Sequence, residues 1–162
     1  MLFRSYNCIL IDLDMQFGTS ALALDLETGR GLRDIVSSPH RVDGLMIASS
    51  ITVESDLFSV LSAEEAVDEQ VEIDSSAIAA LLKEMKSNFD FVVVDLPRHL
   101  IAAQKRLLSS AHQIVLVTEL SLSGIRDTLR IRSSIQSLGF AGKVLVVASR
   151  VDTSSGPIDQ AA

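Results

Sequence analysis

Four short stretches constrain this chain more than any other feature. Residues 8–13 (CILIDL), 90–96 (DFVVVDL), 113–118 (QIVLVT) and 143–148 (KVLVVA) are apolar runs rich in β-branched side chains. A strand with one wet face alternates apolar and polar residues, whereas an unbroken run fits a parallel strand covered on both faces. Residues 57–61 (LFSVL) make a fifth, weaker run. Helical patterns lie between them. Asp74 is placed as an N-cap, with Ile73 and Ile78 as a hydrophobic staple. Ile78, Leu81, Leu82 and Met85 then recur at i, i+3, i+4 and i+7, one buried stripe. Residues 100–110 read as a second, shorter helix. Ser123 is placed to cap a third, with Ile125, Leu129, Ile131, Ile135 and Leu138 inward and Gly139 as its stop. Gly29, Gly31, Pro39 and Gly44 break residues 28–56 into one or two short helices and loops. Strands alternating with helices imply a doubly wound α/β fold with a mainly parallel sheet. A length of 162 residues suits a single domain over 1–162, with a frayed start at 1–6 and a flexible tail at 153–162.

Bulk properties exclude several classes. No apolar run approaches the ~20 residues of a membrane-spanning helix, and the first residues, MLFRSYNCIL, lack the pattern of a signal peptide. The formal net charge of −7 argues against broad electrostatic binding of DNA, which needs a basic face. The single cysteine, Cys8, lies inside the first apolar run and reads as a buried structural residue in a reducing compartment. Among the three histidines, His40, His99 and His112, the wide separations give no metal-ligand spacing, so no zinc site is expected.

The carboxylates carry the functional signal. In open α/β sheets, ligands bind beyond the carboxyl ends of the strands. Asp12 and Asp14 close the first run and Asp95 closes the second, as VVVD. An apolar strand ending in Asp is the Walker B pattern, whose carboxylate holds Mg²⁺ beside nucleotide phosphates, usually through water. A strand-end Asp also serves as a plain cap for the following loop. Two such strand ends together favour a Mg-nucleotide site. A glycine-rich P-loop with Lys and Ser/Thr should accompany them, and these 162 residues contain none. The one Gly-Lys pair, Gly142-Lys143, is followed by Val144 and leads into a strand.

At this point the chain resembles a known family. ILIDLDMQFGT (9–19) followed by Gly31-Leu32-Arg33-Asp34 is similar to the segment after the P-loop helix in ParA/MinD-type deviant Walker ATPases. The resemblance is strongest to the pilus-assembly branch, the CpaE/TadZ proteins. FDFVVVDLPR (89–98) resembles that branch's Walker B region, and Val117-Thr118-Glu119 through Ser123, Arg126 and Asp127 resembles its next strand and helix. The similarity runs over 7–152. It implies a P-loop NTPase (SIMIBI-like) fold that lacks its first strand, P-loop and first helix. It also implies a role for Asp14 as the switch residue that positions attacking water, for Asp12 as the acid beside it, for Asp95 as the acid near Mg²⁺, and for Pro97 as the residue shaping the next loop. Mg²⁺ and ATP are the cofactors of the intact family. The implied partners are a second copy, as a nucleotide-dependent dimer, and components of a Flp/Tad type IV pilus or secretion machine. The implied location is cytoplasmic, often polar, peripheral to the inner membrane through a pilus complex, with no DNA binding and no membrane insertion. Met15 stands where many relatives have Pro, and Ser149-Arg150 where many have an adenine-reading Asn.

Without a phosphate cradle, little or no ATPase activity is expected of the chain alone. Two other classes remain: a non-enzymatic scaffold or dimerisation module, and a receiver-like phosphoacceptor domain. The second fits poorly, since Asp12 and Asp95 lie much farther apart in sequence than the ~30 residues of a βαβ unit and no Lys follows a final strand. Arg98 and His99 read either as a solvated loop pair or as facing nucleotide or a second subunit, and Arg126, Arg130 and Arg132 as a solvated or partner-facing helix surface. A missing central strand would leave open sheet edges, hence marginal stability or oligomerisation.

Overall fold

The computed structural model describes residues 5–29, 31–37, 43–69 and 71–151. The expected tail at 153–162, most of the expected frayed start, and His40 and Pro39 lie outside the described residues. The chain divides into two compact units, one ending at Leu107 and the other beginning at Leu108.

The first unit is built on a four-stranded sheet. Its strands are β1 (Cys8–Asp12), β2 (Thr52–Ser55), β3 (Phe58–Leu61) and β4 (Phe91–Asp95), in the order β2-β3-β1-β4. β1 runs parallel to both β3 and β4, as the unbroken apolar runs require. β2 is antiparallel and forms one edge. Its sequence, TVES, has no apolar run that predicts a strand; its pairing comes from the neighbouring β3 rather than from its own pattern. Between β1 and β2 lie three short helices, α1 (Ser20–Ala23), α2 (Gly31–Ser37) and α3 (Gly44–Ser50). The cap of α3 is Asp43, whose side chain accepts a hydrogen bond from the Met46 N–H.

Helix α4 (Ser75–Asn88) follows the expected pattern. Asp74 accepts from the Ser76 and Ala77 N–H groups, and Ile78, Leu81, Leu82 and Met85 are buried. It packs against α2 and β4. With Ile9, Ile11, Leu13, Leu32, Ile35 and Leu61, this stripe makes the core of the unit.

The expectation that every apolar run is covered on both faces is corrected here. In β1, Ile9 and Ile11 are buried on one face, while Cys8 and Leu10 on the other are only partly covered. Their register partners on β4, Phe91 and Val93, are half exposed. No strand pairs along the outer edge of β4 among the described residues. Cys8 is accordingly half-buried rather than buried, although burial still pushes its thiol above the ordinary value.

After β4 the chain makes a 3₁₀ turn at Arg98–Leu100, then α5 (Lys105–Ser110), so the expected helix over 100–110 shrinks to its second half. In the second unit, β5 (Ile114–Glu119) and β6 (Val144–Ser149) pair in parallel, joined by α6 (Leu122–Ser137). Ser121, not Ser123, caps α6, accepting from the Gly124 N–H. Gly139 stands just past the helix with φ +87°, the left-handed stop that its position in the sequence required. Ile135 is buried, but Leu129 points outward, so the inward assignment of Leu129 is also corrected. The face of the sheet carrying Val115, Val117, Leu145 and Val147 is exposed. No described helix is long and apolar enough to cross a membrane.

Candidate functional site

The candidate site lies at the carboxyl ends of β1 and β4. Parallel pairing puts Asp12 and Asp95 in register at the last rung of the ladder, and the Leu13 N–H continues it by donating to the Asp95 carbonyl at 3.0 Å. Asp12 is 3% exposed. A carboxylate so deep needs hydrogen-bond donors, since an uncompensated buried charge is costly. The backbone supplies them: the Asp14 N–H donates to Oδ1 at 3.0 Å and the Ser20 N–H to Oδ2 at 3.3 Å.

The loop between these two donors winds around the Asp12 carboxylate. The Phe17 N–H donates to Asp14 Oδ1 at 3.1 Å, and the Gly18 N–H donates to the Asp14 carbonyl at 2.6 Å. Gly18 is required by this closeness. A Cβ there would sit 2.4 Å from the Asp14 carbonyl oxygen and 2.6 and 2.7 Å from the two Asp12 carboxylate oxygens. Gln16 then ties the loop to the one after β3, its amide donating to the carbonyls of Val67 (3.1 Å) and Glu69 (2.8 Å). The Glu65 N–H donates to the Met15 carbonyl at 2.8 Å. Arg33 of α2 pairs with both Glu65 and Glu69, closing the bracket from below. Sequence reasoning assigns neither Gln16 nor Gly18 a role: that of Gln16 needs the returning loop after β3, and that of Gly18 the folding of its own turn around Asp12.

Asp14 is partly exposed and Asp95 is open on its outer side. Burial first, and then the negative charges of Asp12 and Asp14, hold the Asp95 carboxyl above its ordinary value of 3.8. None of these three acids has an ion-pair partner among the described residues. The local field is therefore negative and uncompensated, the electrostatic condition that attracts a cation. Among the described residues no three His, Cys, Asp or Glu side chains converge as a metal cage. Mg²⁺ keeps several waters and takes one or two carboxylates beside substrate phosphates. Asp95 and Asp14 have oxygens free for such water-mediated contact. Asp12 already holds two backbone N–H groups.

Pro97, two residues beyond Asp95, opens the 3₁₀ turn with φ −60° and accepts from the Leu100 N–H at 2.9 Å. Gln104 is buried, its amide donating to the Ile73 carbonyl at 3.1 Å. Arg98, His99 and His112 are exposed. Lys143, the lysine of the only Gly-Lys pair, gives its ammonium to the carbonyls of Ser109 (2.8 Å) and Ala111 (2.7 Å), so it is engaged in packing its own unit.

No family model matches the chain. The septum site-determining protein MinD of Synechocystis sp. (strain ATCC 27184 / PCC 6803 / Kazusa) is 23% identical over 79 residues, covering 49% of this chain and 29% of that protein. The crystal structure of a ParA family ATPase from Chlorobium tepidum TLS superposes with a TM-score of 0.70 at 19% identity, over 94% of this chain and 64% of that one. MinD from Pyrococcus horikoshii OT3, solved with Mg-ADP, gives 0.70 at 19% identity, over 93% and 60%. The fold is therefore that of the ParA/MinD-type P-loop ATPases. The chain spans less than two thirds of the length of each of these proteins.

Proposed function

We propose, from a ParA/MinD-type fold, that this chain carries the switch and Walker B part of a nucleotide-dependent dimer switch of the CpaE/TadZ branch, acting in assembly or polar placement of a Flp/Tad type IV pilus. The observation that carries the nucleotide reading is the in-register pair Asp12 and Asp95, with Asp14 beside them, at the carboxyl ends of adjacent parallel strands. Bound Mg-ATP would supply the phosphoryl group and the charge that these acids face. Asp14 would orient a water by accepting a hydrogen bond from its O–H. Asp95 would hold Mg²⁺ through the waters of its hydration shell. Asp12 acts one step back: by holding the Asp14 and Ser20 N–H groups it keeps the Asp14 side chain at the mouth of the site. Pro97 sets the turn that leaves the Asp95 strand. Pilus components are the proposed partners, and the proposed location is the cytoplasm, peripheral to the inner membrane through a pilus complex and often polar.

A phosphate cradle is lacking in these 162 residues, and Lys143 is held by carbonyls. The chain alone is therefore expected to turn over little or no ATP. Purified chain with Mg-ATP, assayed for phosphate release beside Asp95→Ala, tests this. Sustained turnover that disappears in Asp95→Ala overturns the inactivity. The same missing element favours a second reading, a non-enzymatic scaffold on the same fold. Capture of pilus components that is equally strong with and without nucleotide favours the scaffold; strict ATP dependence favours the switch.

A further inference from the structure

Helix α6 is under-covered. Of its sixteen residues only Ile135 is buried. Leu122, Arg126, Leu129, Arg130, Ser133 and Ser137 follow one another at helical spacing along the outer face, and all six are exposed. Leu122 is 86% and Leu129 59% exposed. Leu129, Arg130, Ser133, Ser134 and Ser137 line a shallow, open depression on this face. Arg126 pairs with its neighbour Asp127 at 3.0 Å, and Arg130 has no ion-pair partner among the described residues. The face thus offers two apolar anchors, two guanidinium groups at i, i+4, and small hydroxyls that admit a close approach.

The chemistry that matches is an acidic segment with an exposed apolar residue. A nucleic-acid backbone would use the arginines but leave Leu122 and Leu129 idle, and it would meet a chain of net charge −7. The chain carries a matching segment itself. Residues 64–74 hold Glu64, Glu65, Asp68, Glu69, Glu72 and Asp74 with no Lys or Arg. Glu65 and Glu69 are engaged by Arg33. Glu64, Asp68 and Glu72 are exposed and have no ion-pair partner among the described residues, and Val67 stands 65% exposed between the first two.

We propose that the acidic turn around Val67 of one copy docks on the outer face of α6 of a second copy. Val67 seats between Leu122 and Leu129, while Glu64 and Asp68 meet Arg126 and Arg130. The two surfaces are different patches, so the contact is heterologous and a bound pair leaves one free patch of each kind. Assembly then continues beyond a dimer. It uses neither nucleotide nor the carboxylates at the ends of β1 and β4, so it stands whether or not the ATPase reading holds. Its strength comes from exposed charges and falls as salt rises.

Sedimentation velocity on the full chain over a concentration series tests this. The wild type should show a weight-average sedimentation coefficient that rises with concentration, and the rise should collapse between about 50 mM and about 500 mM NaCl. Arg126→Gln/Arg130→Gln and Glu64→Gln/Asp68→Asn change only exposed side chains; circular dichroism checks that both fold. Each variant alone should stay monomeric. An equimolar mixture should form a 1:1 complex that grows no further, because only one complementary pair of faces survives. A wild type that stays monomeric throughout overturns the proposal, as does self-association that both variants retain or a mixture that stays monomeric. Binding of a short DNA duplex that needs Arg126 and Arg130, without self-association, also overturns it and assigns the face to nucleic acid.

Discussion

Replacing Gly18 by alanine probes how the carboxylate turn is built. The new Cβ would meet the Asp14 carbonyl at 2.4 Å and the two Asp12 oxygens at 2.6 and 2.7 Å. If the loop backs away, the cost is that of overpacking, about 1–3 kcal/mol. If the carboxylate gives way, a hydrogen bond from Ser20 or Asp14 to a buried charge is lost, about 1.5–3 kcal/mol. These are alternative relaxations rather than additive losses, so the expected destabilisation is about 2–3 kcal/mol. For a chain of this size that lowers Tm by about 4–12 °C. Urea and thermal unfolding followed by far-UV circular dichroism measure it. Gly142→Ala is the control: nothing lies within 4 Å of its would-be Cβ, so its effect should stay within about 0.5 kcal/mol. In an Asp12→Ala background two of the three obstructing atoms are gone, and the cost of Ala at 18 should fall by about 1 kcal/mol. A Gly18→Ala protein as stable as the wild type, or a cost unchanged in the Asp12→Ala background, refutes the packing of this turn around Asp12.

Three further outcomes follow from the same geometry. The raised Asp95 carboxyl means that the folded state prefers its protonated form; that contribution is full below the unfolded value and is lost as pH rises through the folded one. Asp95→Asn should therefore raise Tm at pH 7 and leave it unchanged near pH 3, and no gain at pH 7 would contradict the crowding of Asp12, Asp14 and Asp95. Asp74 runs the other way: the Ala77 and Ser76 N–H groups hold its carboxyl below the ordinary range, so its contribution is full above the unfolded value and fades as pH falls through the folded one. Asp74→Ala should lower Tm at neutral pH and lose its effect in acid, checked by melts across pH. Gly139→Ala, at φ +87° with open space around it, should cost about 1–2 kcal/mol from backbone strain alone, read from urea midpoints.

Features that depend on near neighbours were legible in the amino-acid sequence. The five apolar runs became β1, β3, β4, β5 and β6 because short β-branched segments between turns have few other ways to bury themselves. Asp74 and the stripe from Ile78 to Met85 specified α4, since a cap and an i, i+3, i+4 repeat are local statements. Asp12, Asp14 and Asp95 stand out as candidates in the sequence because they close apolar runs, and a strand end is where an α/β sheet presents its chemistry. Tertiary structure alone decided how those acids differ. Register across the sheet, between residues far apart in the chain, set Asp95 beside Asp12. The loop folding back through Gly18 and Ser20 turned Asp12 into a buried anchor, while Asp14 and Asp95 kept free oxygens. The edge strand β2 and the outward turn of Leu129 were equally hidden, because each depends on which neighbour covers which face. A hydrophobic pattern says that a residue can be buried; only the packing of distant segments decides whether anything arrives to bury it.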